Sequence, residues 1–511
     1  MEEVPQSEHM KWALTRDEFV QELKKAARIA APMAAASVLQ YLVQLVSVVA
    51  VGHLGQLSLS SVAVATALAN VTGFSLHQTG LAGGLETLCG QAYGAGQYQK
   101  VGDYVCSAGI SLILVCLPVC ILWIFMDKFL ELMHQDHVIS QEAREYLMWL
   151  IPALLGTAIL KPLVRFLQTQ SLILPMLLSA FLVLCSHIPL CWILVYKLEL
   201  GSPGAALACG ISSWLNVTLL GFYVAFSSAC EKTRVRFTKK AFLGILEFFR
   251  YGVPSAFMIW SVSLVLQKRN FLAVLSSLRF FLDARGCSLK WWSCELLTLL
   301  SGLLPNPKLE TSVLSICFTI SILHFTVSYG FGASASTRIS NELGAGNPNQ
   351  ARVAVLAILS LAITEVVIVG TTLFCCRHVL GYAYTNEKQV VHYIGVMTPL
   401  ICLSIFMDSL QAVLSGVAMG SGWQHIGAYI NLGAFYLIGL PMGVIFSFVL
   451  HQRAKGLWIG VVAGTTTQAA LLSLVTGATN WQKQANKVRK RLFAESPHQE
   501  QCDQGTRNTS A

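Results

Sequence analysis

Leu85-Glu-Thr-Leu-Cys-Gly-Gln-Ala-Tyr-Gly-Ala-Gly-Gln97 is answered 250 residues later by Thr337-Arg-Ile-Ser-Asn-Glu-Leu-Gly-Ala-Gly-Asn347, with Thr87 opposite Thr337, Gln91 opposite Asn341, and the Gly-Ala-Gly tripeptides in register. Other pairs keep nearly the same spacing: Gly52 with Gly302 at 250, and Pro189 with Pro441 and Gly204 with Gly456 at 252. One half of the chain copies the other. In a strongly apolar sequence, such duplication marks the architecture of membrane transporters.

Composition points the same way. The 511 residues are 54% hydrophobic with a mean hydropathy of +0.60, and only 12% are charged, against about 25% in soluble domains. Crossing a hydrocarbon core of about 30 Å takes about 20 helical residues. Apolar runs of that order lie near 28–51, 58–88, 104–126, 146–164, 172–196 and 204–229, then near 246–260 continued by 291–304, 312–337, 352–376, 391–418, 427–450 and 457–477. The fold expected is an all-α integral membrane protein of about twelve transmembrane helices, in two six-helix lobes related by a pseudo-twofold axis.

The first apolar run is long enough to span and follows a polar, amphipathic stretch, so it is expected to act as its own insertion signal. Basic residues set the orientation: Lys24, Lys25 and Arg28 precede span 1, Lys232, Arg234, Arg236, Lys239 and Lys240 join spans 6 and 7, and Lys487, Arg489, Lys490 and Arg491 follow span 12. By the positive-inside rule both termini and the central loop are cytosolic. The acidic loop at 127–144 fits the opposite side. The net charge of +9 is thus a topology signal, and no nucleic-acid partner is expected. The fifteen cysteines lie mostly within apolar runs without paired Cys-x-x-Cys spacing, so they read as small buried hydrophobes and no metal site is expected. Sequons at Asn70, Asn216 and Asn508 fall in spans or in the tail and are expected to stay unmodified.

The repeat also works as a ruler. Pro32 near the start of span 1 must answer Pro254 near the start of span 7, an offset of 222 rather than 250. About 28 extra residues, Ser261 to Ser288, therefore interrupt span 7 with Lys268, Arg269, Arg279, Asp283 and Arg285. Three readings compete: an extra span, which would invert every later loop against the charge pattern; a re-entrant or extramembrane excursion; and a splice or gene-model variant impaired in transport. The resulting organisation is a cytosolic segment 1–27, a first lobe 28–229, a basic linker 230–245, a second lobe 246–478 carrying the insertion, and a polar cytosolic tail 479–511.

Soluble-enzyme signatures are missing. Gly302-Leu-Leu-Pro-Asn-Pro-Lys308 lacks the second glycine and the hydroxyl of a phosphate loop, no His-Asp or metal constellation marks a membrane enzyme, and no filter loop marks a channel. Transport would then draw on an ion gradient, for which a buried carboxylate is suited. Acids gather in the second lobe: Glu295 in span 7, Glu310 at the start of span 8, Glu365 in span 9 and Asp408 midway along span 10. An ionised Asp at a helix centre costs about 2.5–3.5 kcal/mol on insertion scales, so Asp408 needs either a function or a partner. Glu310 is equally well explained by the helix dipole, and Glu365 by pairing with a neighbouring helix. His77, His187 and His324 read as hydrogen-bonded structure. Trp291, Trp292, Tyr329 and Tyr41 are candidates to line a cavity for flat organic cations, with helix packing as the alternative for each. Pro32 and Pro254 are candidates to bend spans 1 and 7. The glycines at 94–96 and 344–346 allow a tight turn after spans 2 and 8.

These stretches, together with Val51-Gly-His-Leu-Gly55, Trp291-Trp-Ser293 before Glu295, Leu303-Leu-Pro-Asn-Pro-Lys-Leu-Glu-Thr311 and Asp408-Ser-Leu-Gln411 before Gly416-Val-Ala418, resemble the multidrug and toxic compound extrusion family, in its plant detoxification-type branch. The resemblance runs from about residue 20 to 485, apart from the insertion. It implies a central cavity between the lobes and antiport of organic compounds against protons, without a cofactor, by a monomer in the plasma or vacuolar membrane. It also implies that Glu295, Glu310 and Asp408 bind the proton and cationic substrate. Two departures stand out: Lys290 where the family usually has Glu before the Trp pair, and Met419 where it often has Arg.

Overall fold

The structure, a computed structural model, describes residues 16–74, 81–132, 137–234, 304–384 and 387–494, with 245, 248–249 and 300. The inserted segment 261–288, Lys290, Trp291, Trp292, Glu295, His77 and Pro254 lie outside the described residues. The first lobe comprises α1 (Arg16–Gly52), α2 (Gln56–Ala69), α3 (Gly83–Gly94), α4 (Tyr98–Ile124), α5 (Met126–Leu132), α6 (His137–Thr169), α7 (Leu174–Trp192) and α8 (Gly201–Phe226). In the second lobe follow α9 (Pro307–Ala345), α10 (Pro348–Cys375), α11 (Lys388–Ser421), α12 (Gln424–Leu432), α13 (Leu440–Val444) and α14 (Arg453–Ala478), and α15 (Trp481–Ala494) closes the chain.

Among the described residues, ten helical stretches are long and apolar enough to cross a membrane. They match the expected spans except the seventh, which lies largely outside the described residues, and the second. The expected run 58–88 is not α-helical throughout its described residues: α2 gives way to a π-turn at Asn70–Phe74, residues 75–80 lie outside the described residues, and α3 opens at Gly83. The polar, glycine-containing Asn70-Val-Thr-Gly73 supports a helix poorly, and Thr72 is held to both sides, donating to the Leu68 carbonyl at 2.7 Å and accepting from Trp123 Nε1 at 2.8 Å. Large apolar side chains such as Phe226, Leu437, Leu474 and Ile368 point outward, where a lipid-facing surface requires them. Helix α1 continues unbroken through Pro32.

The repeat reappears as local backbone geometry. Span 5 ends in a π-turn at Ile193–Lys197 and span 11 in one at Ile445–Val449, the same places at an offset of 252. After each come two residues of positive φ, Glu199 and Gly201 in one copy, His451 and Arg453 in the other. The following helix packs so closely that a Cβ on Gly204 would meet the Leu194 carbonyl and one on Gly456 the Phe446 main chain. Identical backbone devices under different side chains are what duplication predicts.

The lobes join at the end that carries both Gly-Ala-Gly turns, hereafter the turn face. Gly96 and Gly346, at φ +74° and +80°, make the tight turns read from the sequence. Gly94 and Gly344 do something the sequence reading missed: a Cβ on Gly94 would overlap the Asn341 carbonyl, and a Cβ on Gly344 the Gln91 carbonyl. Each copy of the motif thus sits on the backbone of the other. Around them Thr87 donates to the Met419 carbonyl at 2.5 Å, Gln91 to the Gly420 carbonyl at 2.9 Å, and Asn341 to the Thr169 carbonyl at 3.0 Å.

The first part of the polar tail, up to Ala494, is helical. Asn480 accepts from the Lys483 amide at 2.9 Å and starts α15, whose Ala485, Val488 and Leu492 recur at helical spacing and are buried. The helix bridges the lobes. Lys100 and Gln97 of the first donate to the Leu492 carbonyl at 2.9 and 3.2 Å, Arg491 donates to Gln91, and Gln484 donates to the Ser421 carbonyl of the second at 2.5 Å.

Candidate functional site

Asp408 lies in the middle of α11 and is 5% exposed. The small residues around it let α11 press on α9: Gly332 and Gly416 touch main chain across that contact. From this level a polar chain runs through the second lobe. Ser409 and Ser328 share a hydrogen bond of 2.8 Å, Ser328 and His324 Nδ1 stand 3.5 Å apart, and His324 Nε2 lies 3.4 Å from the Glu365 carboxylate. Four groups able to hold or pass a proton thus connect three helices beside Asp408. Glu365 pairs with a neighbouring helix, as one of its two sequence readings expected.

Glu310 is fully buried at the start of α9, far from Asp408. Eighteen residues separate it from Ser328 on the same helix, about 27 Å at 1.5 Å per residue. Its carboxylate accepts from the Tyr393 hydroxyl at 3.0 Å and from the Ala454 amide, also at 3.0 Å, with Arg453 Nη1 at 3.9 Å. It therefore caps the first turn of α14 and ties three helix starts together. The described residues do not gather Glu310 and Asp408 into one cluster.

The first lobe contributes a second polar centre that sequence reading overlooked. Arg165 on α6 is 3% exposed and forms a close ion pair with Glu86 of α3, which is equally buried. It also donates to Gln168 Oε1 at 2.6 Å and, across the lobe boundary, to the Tyr329 hydroxyl at 2.6 Å. Gln168 continues the bridge to the Ala333 carbonyl and Thr337 Oγ1, both at 3.2 Å. One turn before Arg165 lies Lys161, 8% exposed. The signal in the sequence is two cations four residues apart at the end of an apolar run.

Nearer the turn face, Arg338 of α9 grips Glu22 of α1 with two hydrogen bonds of 2.7 and 2.9 Å and reaches Glu342 at 2.7 Å. This fork-to-fork pairing fixes one lobe on the other. Of the aromatic candidates, Tyr329 is engaged by Arg165 as described, and Tyr41 is half-buried midway along α1. His187 bonds Ser47 at 2.9 Å and Ser212 at 2.8 Å, the structural role read for it.

Two helical lobes joined along a pseudo-twofold axis, with buried charges on both sides of the boundary, define a multi-pass membrane transporter rather than an enzyme. The family model MatE matches residues 32–193 and 287–445, more than half of the chain, the second stretch opening at the end of the insertion. The chain belongs to that family. Among curated relatives, Protein DETOXIFICATION 14 of Arabidopsis thaliana is 47% identical over 96% of this chain and 95% of its own, and Protein DETOXIFICATION 5 of the same plant is 50% identical over 93% of each. The crystal structure of the eukaryotic MATE transporter AtDTX14 superposes with a TM-score of 0.83 at 48% identity, covering 93% of this chain and all of that one. An outward-facing multidrug resistance MATE family transporter shares the fold at 16% identity, with a TM-score of 0.76 over 92% of this chain and 97% of that one.

Proposed function

We propose that this protein is a secondary active exporter that moves organic compounds, cationic drugs, alkaloids and flavonoid-type metabolites among them, out of the cytosol in exchange for protons. The observation that carries this reading is the carboxylate of Asp408, buried at mid-span beside a polar chain of Ser409, Ser328, His324 and Glu365. A carboxylate there attracts a cation when ionised and loses that attraction on taking up a proton, which is the exchange an antiporter needs. Similarity to the Arabidopsis DETOXIFICATION proteins supports the cargo class. The basic loops support a cytosolic turn face and cytosolic termini. On that orientation the joined lobes close the cytosolic side, leaving Asp408 to load from outside. The protein acts as a monomer without cofactor, in the plasma or vacuolar membrane. Proteoliposomes with an imposed pH gradient test the reading: Asp408→Asn should abolish uptake of a fluorescent organic cation while the protein still folds, and undiminished uptake would remove Asp408 from the mechanism.

One observation favours a second reading, a transport-impaired variant. The family match resumes only at 287, and Lys290 beside it places a cation where the family usually has an acid. Deleting residues 261–288 and restoring glutamate at 290 would then raise transport; equal rates would dismiss it.

A further inference from the structure

Among the described residues, the buried charged side chains are Glu22, Glu86, Lys161, Arg165, Glu310 and Asp408. Glu22 is neutralised by Arg338, Glu86 by Arg165, and Glu310 faces Arg453, Tyr393 and a backbone amide. Lys161 differs. Its ammonium has no carboxylate and no hydrogen-bond acceptor among the described residues, and the nearest charged group is another cation, Arg165. The Glu86–Arg165 pair is internally balanced, so among the described residues this part of the first lobe carries one positive charge in excess. Lys161 keeps 8% exposure, and an ammonium so largely withdrawn from water favours an anion or solvent beside it.

Its register says where it is directed. Lys161, Arg165 and Gln168 fall at i, i+4 and i+7 on α6, one face of one helix. The last two bond across the lobe boundary to Tyr329, Ala333 and Thr337 of α9, so that face looks at the second lobe. Helical side chains lean toward the helix N-terminus, and α6 runs toward the turn face. Lys161 therefore stands one turn beyond the outermost of these bridging contacts, leaning away from the seal into the boundary between lobes. Asp408 follows at a similar depth within the second lobe, next to the Ser409 that bonds Ser328.

We infer that Lys161, with Arg165 behind it, is an anion subsite of the transport path that receives a carboxylate of the organic substrate. This rests on the exporter reading above and adds a charge selectivity to it. The test uses two forms of one dye: rhodamine B, which carries a free carboxylate, and rhodamine B ethyl ester, in which it is blocked. Binding is measured by fluorescence anisotropy on the purified, lipid-reconstituted protein. Lys161→Met is expected to weaken rhodamine B by about tenfold, the size of one lost charge-assisted hydrogen bond, and to leave the ester unchanged. Lys161→Arg is expected to keep rhodamine B binding. Removing an unpaired buried charge should not impair folding, which thermal unfolding of each variant checks. Equal weakening of both dyes by Lys161→Met, unchanged rhodamine B affinity in it, or loss of rhodamine B binding in Lys161→Arg would each overturn the inference. Uptake of the ester driven by a pH gradient reports separately on the exporter reading, so the two can fail independently.

Discussion

Gly94 lies against the carbonyl of Asn341 as Gly344 lies against that of Gln91, so the two copies of one motif close on each other with main chain touching main chain. No side chain fits in that contact, and a methyl group on either glycine must push the lobes apart.

Gly344→Ala is therefore expected to cost about 1–3 kcal/mol in the joined conformation, the usual penalty of overpacking, and Gly94→Ala the same. Hydrogen exchange at the ends of α3 and α9 should report it as lost protection. Gly109, with open space around its Cβ position, provides the control: alanine there should leave exchange unchanged.

Arg338→Ala takes the fork from Glu22, which is 1% exposed, and leaves it facing the largely exposed Lys25 ammonium at 3.6 Å. Breaking such a pair costs about 3–5 kcal/mol. Thermal unfolding should show this loss, and Glu22→Gln in the same chain should recover most of it, because the stranded charge rather than the lost contact dominates.

Glu310→Gln should separate structure from transport. The amide can still accept from Tyr393 and the Ala454 amide but loses the charge facing α14, so a stability loss of about 1–2 kcal/mol is expected from one weakened charged hydrogen bond. With Glu310 so far along α9 from Asp408, pH-driven uptake should fall much less than in Asp408→Asn. Equal loss in both variants would show that the two carboxylates act together.

Thiol labelling tests orientation and burial at once. Cys230 follows α8 at the turn face, is fully buried, and its thiol is pushed above the ordinary range by burial, partly offset by Arg234. Cys376 is exposed at the opposite end of α10. In single-cysteine variants, an impermeant maleimide added to intact cells is expected to label Cys376 and spare Cys230. After permeabilisation, Cys230 labelling should stay slow and keep rising with pH past about 8.5, where an ordinary thiol levels off, since a raised pKa means less thiolate at each pH.

Much of the fold was legible because both of its signals are linear. Apolar length gives spans, and the repeat gives pairing of the halves, which the shared π-turns at 193–197 and 445–449 express in geometry. The π-turn in span 2 escaped because a hydropathy run averages over Asn70, Thr72 and Gly73, while the local backbone responds to each of them. The site was half legible. Asp408 stood out as an acid alone in an apolar run, while Lys161 and Arg165 sat at the edge of a span, where cations usually reach for the interface. Only the packing of α6 on α9 turns them inward. The helix in the tail was not legible for a related reason, since three apolar residues spread over α15 barely register in composition but share one face.

The crossed glycine contacts have the form of an isologous interface, in which residue i of one unit touches j of the other and j touches i. The two lobes meet as a homodimer would, with a peptide tether in place of an equilibrium. Association at the seal is then governed by effective concentration rather than by affinity, so each individual contact can be weak enough to open in every cycle without the halves ever separating.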